Sequence, residues 1–473
     1  MGYSNAYPNT AIEAFRGYLN ESFSYELDDS GFTWLWSAIL NVWFIGFAIG
    51  SWIAVPLADR IGRKGCLLTG NALNVVSATL SWAAIPLGYW WLFMGARLLF
   101  AVAAAVSMNS LILLLQESSP ASLRGTMSFY AEMAFVVMNA VGVLCGMRIV
   151  LGERLGWLTA VAIFPTLLSF LIVLPFHESP KFLLLKRGDH DAAARALQFY
   201  QSESIDEAQS VLSVVEKEGN EGEEEVRMGD LFTVPHLRKG LLLGVAALQI
   251  TASIWPIVYL STELLTRSNI DPYTAEAVST AMLLASTLST VFGMVLVERI
   301  SRRVLFLSCS TVNVSALALF VLSACLQRLH DTLKYGCVVA VFLHGMSYSV
   351  AVGPIAWFIT AELLPISHRA AGQCLALSIN QLIALVLSFA TLPAYNFIER
   401  YLHLPGALVI LPLYVAPGIA CILLLAWLLP ETRGVEIVDV IRALKDGRKS
   451  GRHSRVASVK RKEEMENSEE SGV

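Results

Sequence analysis

The chain has 473 residues, of which 55% are hydrophobic and 15% are charged, and its formal net charge at pH 7 is −4. A soluble globular protein carries about 25% charged residues, so this composition excludes an ordinary soluble domain and indicates a protein of the lipid bilayer. The small net charge gives no support for a nucleic-acid partner. The sequence has no phosphate-binding loop, metalloprotease, EF-hand or serine-hydrolase motif, and its cysteines are scattered without metal-ligand spacing. We therefore predict no enzymatic activity, no metal site and no cofactor.

Apolar runs long enough to span a bilayer recur along the whole chain, since a spanning helix needs about 20 such residues. They cover residues 34–58, 65–87, 90–115, 126–150, 157–176, 239–264, 272–297, 303–326, 335–359, 371–395 and 405–429. Short loops join several neighbouring runs, so these form helical hairpins rather than separate domains. The sequence predicts an all-α membrane protein with about eleven spans.

The Lys and Arg residues concentrate in alternate loops, which predicts the orientation of the chain. Residues 59–64, residues 177–238 and the tail after 430 hold most of the basic side chains, so this side is expected to be cytoplasmic. The opposite loops include residues 1–33, where Asn20-Glu-Ser22 forms a glycosylation sequon. We predict a glycan on Asn20, with an unmodified surface asparagine as the alternative.

Three charged motifs occur twice in the same order, which indicates a duplicated unit. The pairs are residues 59–64 with 298–303, residues 117–124 with 362–369, and residues 175–180 with 430–434. The second pair shares an acidic residue, a proline three positions later and an arginine four positions after the proline. Two parallel repeats of apolar spans are one of the known transporter architectures.

The composition divides the chain into four parts. Residues 1–186 are predicted to form an N-terminal transmembrane bundle, 187–237 a cytoplasmic helical linker, 238–434 a C-terminal transmembrane bundle, and 435–473 a cytoplasmic tail. Helical periodicity over residues 189–200 and 205–218 predicts two short helices in the linker. Alternating basic, Ser and Glu residues predict disorder over 446–473.

The charged motifs, together with Gly95-Ala-Arg97 and with residues 178–184, 353–362 and 430–434, resemble the sugar porter family of the major facilitator superfamily, and within it the animal facilitative hexose transporters. The resemblance implies two six-helix bundles that alternate access to a central sugar site, in the plasma membrane. Residues 2–8 resemble the polar end of the family's first span, and we expect the apolar body of that span to be missing from this sequence.

The resemblance also implies roles for individual residues. Charged residues at the cytoplasmic ends of the spans are expected to form the salt bridges that latch the outward-facing state; they are Arg97, Glu117, Arg124, Glu178, Arg302, Arg303, Glu362, Arg369 and Glu431. Gln249, Trp357 and Asn380 match family positions that contact the sugar. Amide groups and an aromatic face suit the hydroxyls and the CH face of a sugar.

The sequence departs from the family at other sugar-contacting positions. It has Glu132 where the family has a glutamine, Ile250 for a second glutamine, Trp255 and Ser286 for asparagines, and Ser349 for an acid. Each unpaired sugar hydroxyl would cost about 1–3 kcal/mol, so glucose itself is in doubt as the substrate. We include Glu132, Trp255 and Ser286 among the candidate substrate-binding residues.

Glu132 lies in an apolar run, where burial favours the neutral carboxyl. Three interpretations remain open. It binds or relays a proton or pairs with a cationic substrate, it stays protonated and replaces the amide, or it is a water-exposed carboxylate.

The favoured function is transport of a hexose or related small polar solute in the facilitative mode, with the bilayer and a small molecule as partners. The alternatives are a non-transporting sensor with the same fold, and a transporter of a non-sugar organic solute.

Overall fold

The computed structural model describes residues 2–120, 124–201, 212, 229–327, 329–433, 435 and 437–446. These residues form helices and contain no strand. The predicted linker helix over 205–218 and the predicted disorder of the tail from 447 onward fall outside the described residues, apart from Leu212.

The described residues of the N-terminal half form nine α-helices. They are α1 (Gly2–Thr10), α2 (Ile12–Phe23), α3 (Asp29–Leu87), α4 (Trp90–Ser118), α5 (Arg124–Gly146), α6 (Leu155–Val161), α7 (Ile163–Val173), α8 (Pro180–Leu185) and α9 (His190–Gln201). A π-helical turn, Arg148–Gly152, joins α5 to α6. The short helices α8 and α9 pack on each other through Leu183, Leu184, Ala193 and Leu197.

The C-terminal half contains ten further α-helices within the described ranges. They are α10 (Asp230–Thr233), α11 (Pro235–Thr251), α12 (Ile254–Arg267), α13 (Pro272–Arg299), α14 (Arg302–Leu326), α15 (Tyr335–Ser347), α16 (Gly353–Leu363), α17 (Ile366–Tyr401), α18 (Ala416–Leu428) and α19 (Ile437–Asp446). A π-helical segment, Tyr348–Val352, makes α15 and α16 continuous.

Nine of the described helical segments are long and apolar enough to cross a membrane. Two details account for the difference from the eleven predicted runs. The runs 34–58 and 65–87 follow each other in α3, which breaks at Gly62. The run 239–264 is divided between α11 and α12 at Ala252 and Ser253. Pro256 has no N–H to donate to the carbonyl of Ala252, which favours a break there.

Gly62 turns the chain between the two spans of α3. Its φ of 88° lies in the left-handed region, which costs glycine little and other residues much more. A Cβ built on Gly62 would also lie 2.2 Å from Oε2 of Glu178. The sharp turn therefore brings the start of the second span against the segment before α8.

Two further glycines let α1 lie close to α5. A Cβ at Gly142 would be 2.7 Å from the carbonyl oxygen of Tyr3, and one at Gly146 would be 2.7 Å from that of Tyr7. Small residues four positions apart are the usual means of close helix packing in membranes. The predicted likeness of residues 2–8 to the end of a first span thus corresponds to a helix packed inside the N-terminal bundle.

The two bundles meet along two sets of helices: α3 packs against α17, and α5 packs against α13 and α16. One apolar cluster runs across this interface and contains Phe44, Phe47 and Phe129 from the N-terminal half with Trp255 and Tyr348 from the other. Polar groups enclosed by this cluster are removed from water. The interface is therefore where both a substrate site and a gate are expected.

Candidate functional site

The first charged assembly lies at the end of the N-terminal bundle that the distribution of Lys and Arg predicts to be cytoplasmic. Nε of Arg63 is 3.0 Å from Oε2 of Glu117, and Nη2 of Arg63 donates to Oε1 at 3.1 Å. The hydroxyl of Ser179 donates to the same carboxylate. Arg63 is 6% exposed and Glu117 4%. Such a buried pair is stable only when further hydrogen bonds satisfy both charges. The hydroxyl of Ser179 supplies such a bond to the carboxylate of Glu117.

Glu178 fixes the turn that carries Arg63. Its Oε1 accepts hydrogen bonds from the backbone N–H groups of Lys64 and Ser179, both at 2.9 Å, and Oε2 accepts one from Gly65 at 3.4 Å. The N–H groups of Lys64 and Gly65 lie at the start of the helical segment after Gly62, where a negative charge is favoured. The motifs 59–64 and 178–184 are thus parts of one structural unit.

The C-terminal bundle repeats this arrangement. Arg302 pairs with Glu362, and both are buried. Glu431 accepts hydrogen bonds from the backbone N–H groups of Arg302 at 3.1 Å and Arg433 at 2.9 Å, and from the hydroxyl of Ser301. The repeat seen in the sequence is therefore a repeat of hydrogen bonding, with Arg302, Glu362 and Glu431 in the places of Arg63, Glu117 and Glu178.

Contacts between the bundles close the cytoplasmic half of the interface. Arg369 of α17, 1% exposed, lies within electrostatic reach of Glu117 in the other bundle. Sγ of Cys374 is 3.3 Å from Oδ1 of Asn109, and the hydroxyl of Ser378 donates to the carbonyl of Ala48 at 3.3 Å. Access from the cytoplasm along the contact of α3 with α17 requires these bonds to break.

Two members of the predicted latch lie apart from these contacts, and a third falls outside the described side chains. Arg303 donates to the carbonyl of Ala426 at 2.6 Å, within the C-terminal bundle. The side chain of Arg124 lies outside the described part of the chain. Arg97 corrects the prediction, because it does not lie at the cytoplasmic face.

Arg97 lies inside the N-terminal bundle. Its Nε donates to the carbonyl of Ile39 and its Nη1 to that of Ser4, both at 3.1 Å, beside the hydroxyl of Tyr7. It is seven positions into α4, which starts at Trp90 after an extracytoplasmic turn. The motif that contains Arg97 is therefore at the opposite end of the span from Glu117. A polar cavity lined by serines, threonines and Asn74 lies next to it.

The predicted sugar-contacting amides lie where α11 meets α17. Nδ2 of Asn380 donates to the carbonyl of Leu248 at 2.7 Å, and Asn380 is fully buried. Its Oδ1 has no hydrogen-bond partner among the described residues, and the same holds for Oε1 of the neighbouring Gln249. A buried polar atom without a partner costs about 1–3 kcal/mol, so both oxygens are suited to accept a hydrogen bond from a ligand.

Two tryptophans connect this region to the other bundle. The ring of Trp357 lies 6.1 Å from that of Phe47 with an interplanar angle of 75°, and the ring of Trp255 lies 5.8 Å from that of Phe44 at 86°. Both are edge-to-face contacts, which are worth about 0.5–1.5 kcal/mol beyond the buried area. At the position where the resemblance leads us to expect an asparagine, Trp255 thus makes an apolar contact between the bundles.

Glu132 and Ser286 occupy different surroundings. Glu132 is 4% exposed, its Oε1 has no hydrogen-bond partner in the described structure, and Tyr348 of the other bundle is close enough to interact electrostatically. Ser286 lies where α13 packs on α15, since a Cβ at Gly345 would be 2.8 Å from its Oγ. The structure thus places Glu132 between the bundles and Ser286 inside the C-terminal one.

Known proteins match almost the whole chain. The family model described as "Sugar (and other) transporter" matches residues 1–443. The chain belongs to the sugar transporter family. This sugar transporter is 25% identical over 450 residues to solute carrier family 2, facilitated glucose transporter member 7, of Mus musculus, and the match covers 93% of the chain and 86% of the relative. It is 26% identical over 461 residues to member 3 of Oryctolagus cuniculus, covering 94% and 89%.

Solved structures show the fold of the sugar transporter. The major facilitator superfamily proton:xylose symporter XylE, bound to 6-bromo-6-deoxy-D-glucose, gives a TM-score of 0.78 at 17% identity and covers 94% of the chain and 96% of its own. The inward open conformation of the E. coli xylose transporter XylE gives a TM-score of 0.64 at 16% identity, covering 94% of the chain and 97% of its own.

The predicted fold class, family and transport function are confirmed. The protein is a multi-pass membrane transporter and not an enzyme, and the sensor and non-sugar alternatives are not favoured.

Several residues of the sugar transporter were missed at the sequence level. Arg63 was recognisable, because it stands in the repeat where Arg302 stands. Tyr348 gave no signal, since an aromatic residue in an apolar run is usual. His344 was recognisable as an ionisable residue inside an apolar run; its Nδ1 is 3.3 Å from the carbonyl oxygen of Asn313 and its Nε2 is 3.5 Å from Oγ of Ser253. This network joins α14, α15 and the break between α11 and α12.

The glycosylation prediction is not decided by the structure. Oδ1 of Asn20 accepts a hydrogen bond from the backbone N–H of Leu27 at 3.0 Å, and the residue is half-buried. Modification of Asn20 stays a prediction.

Proposed function

We propose that this protein carries a hexose or a closely related small polar solute across the plasma membrane by facilitative alternating access. The observation that carries the proposal is the pair of unpartnered amide oxygens of Gln249 and Asn380 where α11 meets α17. A sugar hydroxyl can donate to each of them, and the nearby indole of Trp357 offers a face to the sugar's CH groups.

The charged assemblies support an alternating mechanism. Each bundle has its own buried Arg–Glu pair with a carboxylate-capped turn, and Arg369 faces Glu117 across the interface. Contacts made in one state and broken in another are what a two-state transporter needs. Glu117, Glu178, Arg302, Glu362, Arg369 and Glu431 would hold the cytoplasmic side closed while the site faces outward.

The relatives favour a hexose and the facilitative mode, because they are facilitated glucose transporters. The substitutions at Ile250 and Ser349 remove amide and acidic partners that the family offers. We therefore propose a solute with fewer recognised hydroxyls than glucose, such as a deoxyhexose, a pentose or a polyol.

Uptake of labelled hexoses, deoxyhexoses, pentoses and polyols into cells that express the chain tests the proposal, with surface biotinylation to show delivery to the plasma membrane. Saturable uptake of at least one sugar is expected. Asn380→Ala should raise KM by about 5- to 150-fold, since it removes a bond worth about 1–3 kcal/mol. The exposed amide variant Gln198→Ala is the matched control. Normal surface delivery without saturable uptake of any member of the panel would contradict the proposal.

A further inference from the structure

Glu132 stands out among the buried ionisable groups because it has no countercharge. The other buried carboxylates in the described structure, Glu117 and Glu362, each pair with an arginine. Glu132 has no Lys, Arg or His within ion-pair distance in the described residues, and its Oε1 accepts no hydrogen bond there. An unpaired carboxylate buried to this extent is strongly disfavoured, so the site needs a positive charge from outside the protein.

The elements packed against α5 do not supply that charge. On α4, Arg97 donates to two backbone carbonyls and Glu117 pairs with Arg63. On α16, Glu362 pairs with Arg302. The remaining ionisable residues of these elements are Tyr3 and Tyr7 on α1, Tyr130 and Arg124 on α5 itself, Tyr273, Glu276, Glu298 and Arg299 at the ends of α13, and Arg148 on the turn after α5.

Position along the helices separates most of these groups from Glu132. Arg124 is eight residues away on the same helix, about 12 Å along its axis, and the middle of α13 carries no ionisable residue. Tyr348, on the segment between α15 and α16, is the group of the other bundle that interacts with Glu132. A neutral phenol leaves the charge of a carboxylate uncompensated.

Protonation changes what Glu132 can offer a sugar. The carboxylate is an acceptor only, whereas the neutral acid has one O–H donor and an acceptor oxygen. An amide has the same combination of donor and acceptor, and sugar hydroxyls present both. The flanking Phe129 and Phe135 belong to the apolar cluster between the bundles, which excludes the water that would otherwise solvate a charge.

We propose that Glu132 is a proton-binding site between the two bundles and that its protonated form alone completes the sugar site. The proton comes from the aqueous phase and binds the carboxylate without any other bond changing. This inference rests on the proposed function for the identity of the ligand, but the protonation of Glu132 can be measured without a sugar.

The first experiment measures protonation directly. Infrared spectra of the purified protein in lipid at neutral pH should show the carbonyl stretching band of a protonated carboxylic acid, and Glu132→Gln should remove it. Glu153→Gln, at an exposed carboxylate in the loop after α5, is the matched control and should leave the band in place. A band that is absent from the wild type, or that survives in Glu132→Gln, would overturn the inference whether or not any sugar is transported.

The second experiment measures sugar exchange in proteoliposomes with the same pH on both sides. If the protonated form alone binds, KM should rise about tenfold for each pH unit above the titration midpoint of Glu132, with kcat changed less. Glu132→Gln should keep a low KM that does not depend on pH, whereas Glu132→Ala should show a high KM at every pH. An equal pH dependence in wild type and Glu132→Gln would overturn the inference. Absence of saturable exchange in the wild type would count against the proposed function instead, and the infrared result would then decide the proton site.

Discussion

Replacing Arg63 by methionine removes one partner of a buried ion pair while keeping most of the side-chain volume. Glu117 would keep the hydroxyl of Ser179 but lose both guanidinium bonds, at 3.0 and 3.1 Å, in a position that is 4% exposed. Removing one partner of a buried pair typically costs about 3–5 kcal/mol. If only the closed cytoplasmic interface carries this cost, the equilibrium moves toward the open state by roughly a hundred- to a few-thousand-fold.

Cys374 provides a reporter for this shift. It is 2% exposed, and its Sγ contacts Asn109 across the bundle interface, so a maleimide reaches it when the cytoplasmic half opens. We expect Arg63→Met to speed the labelling of Cys374, measured by mass spectrometry of its peptide, and to lower the melting temperature. Arg60→Met, three positions earlier and exposed, is the matched control and should behave as wild type.

A second variant separates the loss of the pair from the burial of a lone charge. Arg63→Met combined with Glu117→Leu removes both charges, and such replacements are often nearly neutral. The double variant should therefore recover much of the lost stability. The reasoning fails if Arg63→Met labels and melts like the wild type, or if the double variant is no more stable than the single one.

Three further predictions test other parts of the structure. Gly142→Ala should lower stability by about 1–3 kcal/mol, because its Cβ would lie 2.7 Å from the carbonyl oxygen of Tyr3. Gly95→Ala is the control and should leave stability unchanged, because a Cβ there meets nothing within 4 Å. Equal melting temperatures of the two variants would refute the close packing of α1 on α5. Glu431→Gln should cost about 1–2 kcal/mol by weakening the charged cap at the start of α14, seen as a lower melting temperature with unchanged surface expression. Burial, and after it the positive charges of Lys445 and His368, lower the pKa of His236 in the folded protein. The unfolded chain therefore binds a proton at this residue more readily than the folded chain does. The stability that neutral His236 contributes is present above the ordinary histidine pKa and is lost as the pH falls below it. Thermal unfolding between pH 5 and 7.5 should show a smaller acid loss in His236→Gln, and identical profiles would contradict the assignment.

The sequence predicted the features that depend on charge and hydropathy pattern. The repeat of Glu117 and Glu362, and of Glu178 and Glu431, recurs in the structure as two similar Arg–Glu assemblies, because a charged residue at the end of an apolar run is costly unless it is paired or wet. The spans were found for the same reason. The break in the predicted run 239–264 was visible only as Pro256, whose missing N–H acts one turn earlier.

The pattern of charge and hydropathy does not give the position of a residue along its span or the residue that it interacts with. Arg97 was assigned to the cytoplasmic end by its motif, but its place seven positions into α4 puts it at the other end of the span. Whether an amide oxygen such as Oδ1 of Asn380 is already satisfied depends on how helices distant in sequence pack. The electrostatic proximity of Tyr348 to Glu132 has the same origin, since the two residues belong to different bundles and stand more than 200 positions apart.

The duplicated Arg–Glu assemblies have a consequence for the continuity of the chain. Arg63, Glu117 and Glu178 lie wholly in the first half, and Arg302, Glu362 and Glu431 lie wholly in the second. Within the described residues, the carboxylates of Glu178 and Glu431 that cap the turns accept their hydrogen bonds from groups of their own half. Each half therefore contains the groups that shape its cytoplasmic end, and the covalent link between the halves is not one of them. Two polypeptides made separately, one for each half, should still recognise each other through the apolar interface and rebuild the carrier.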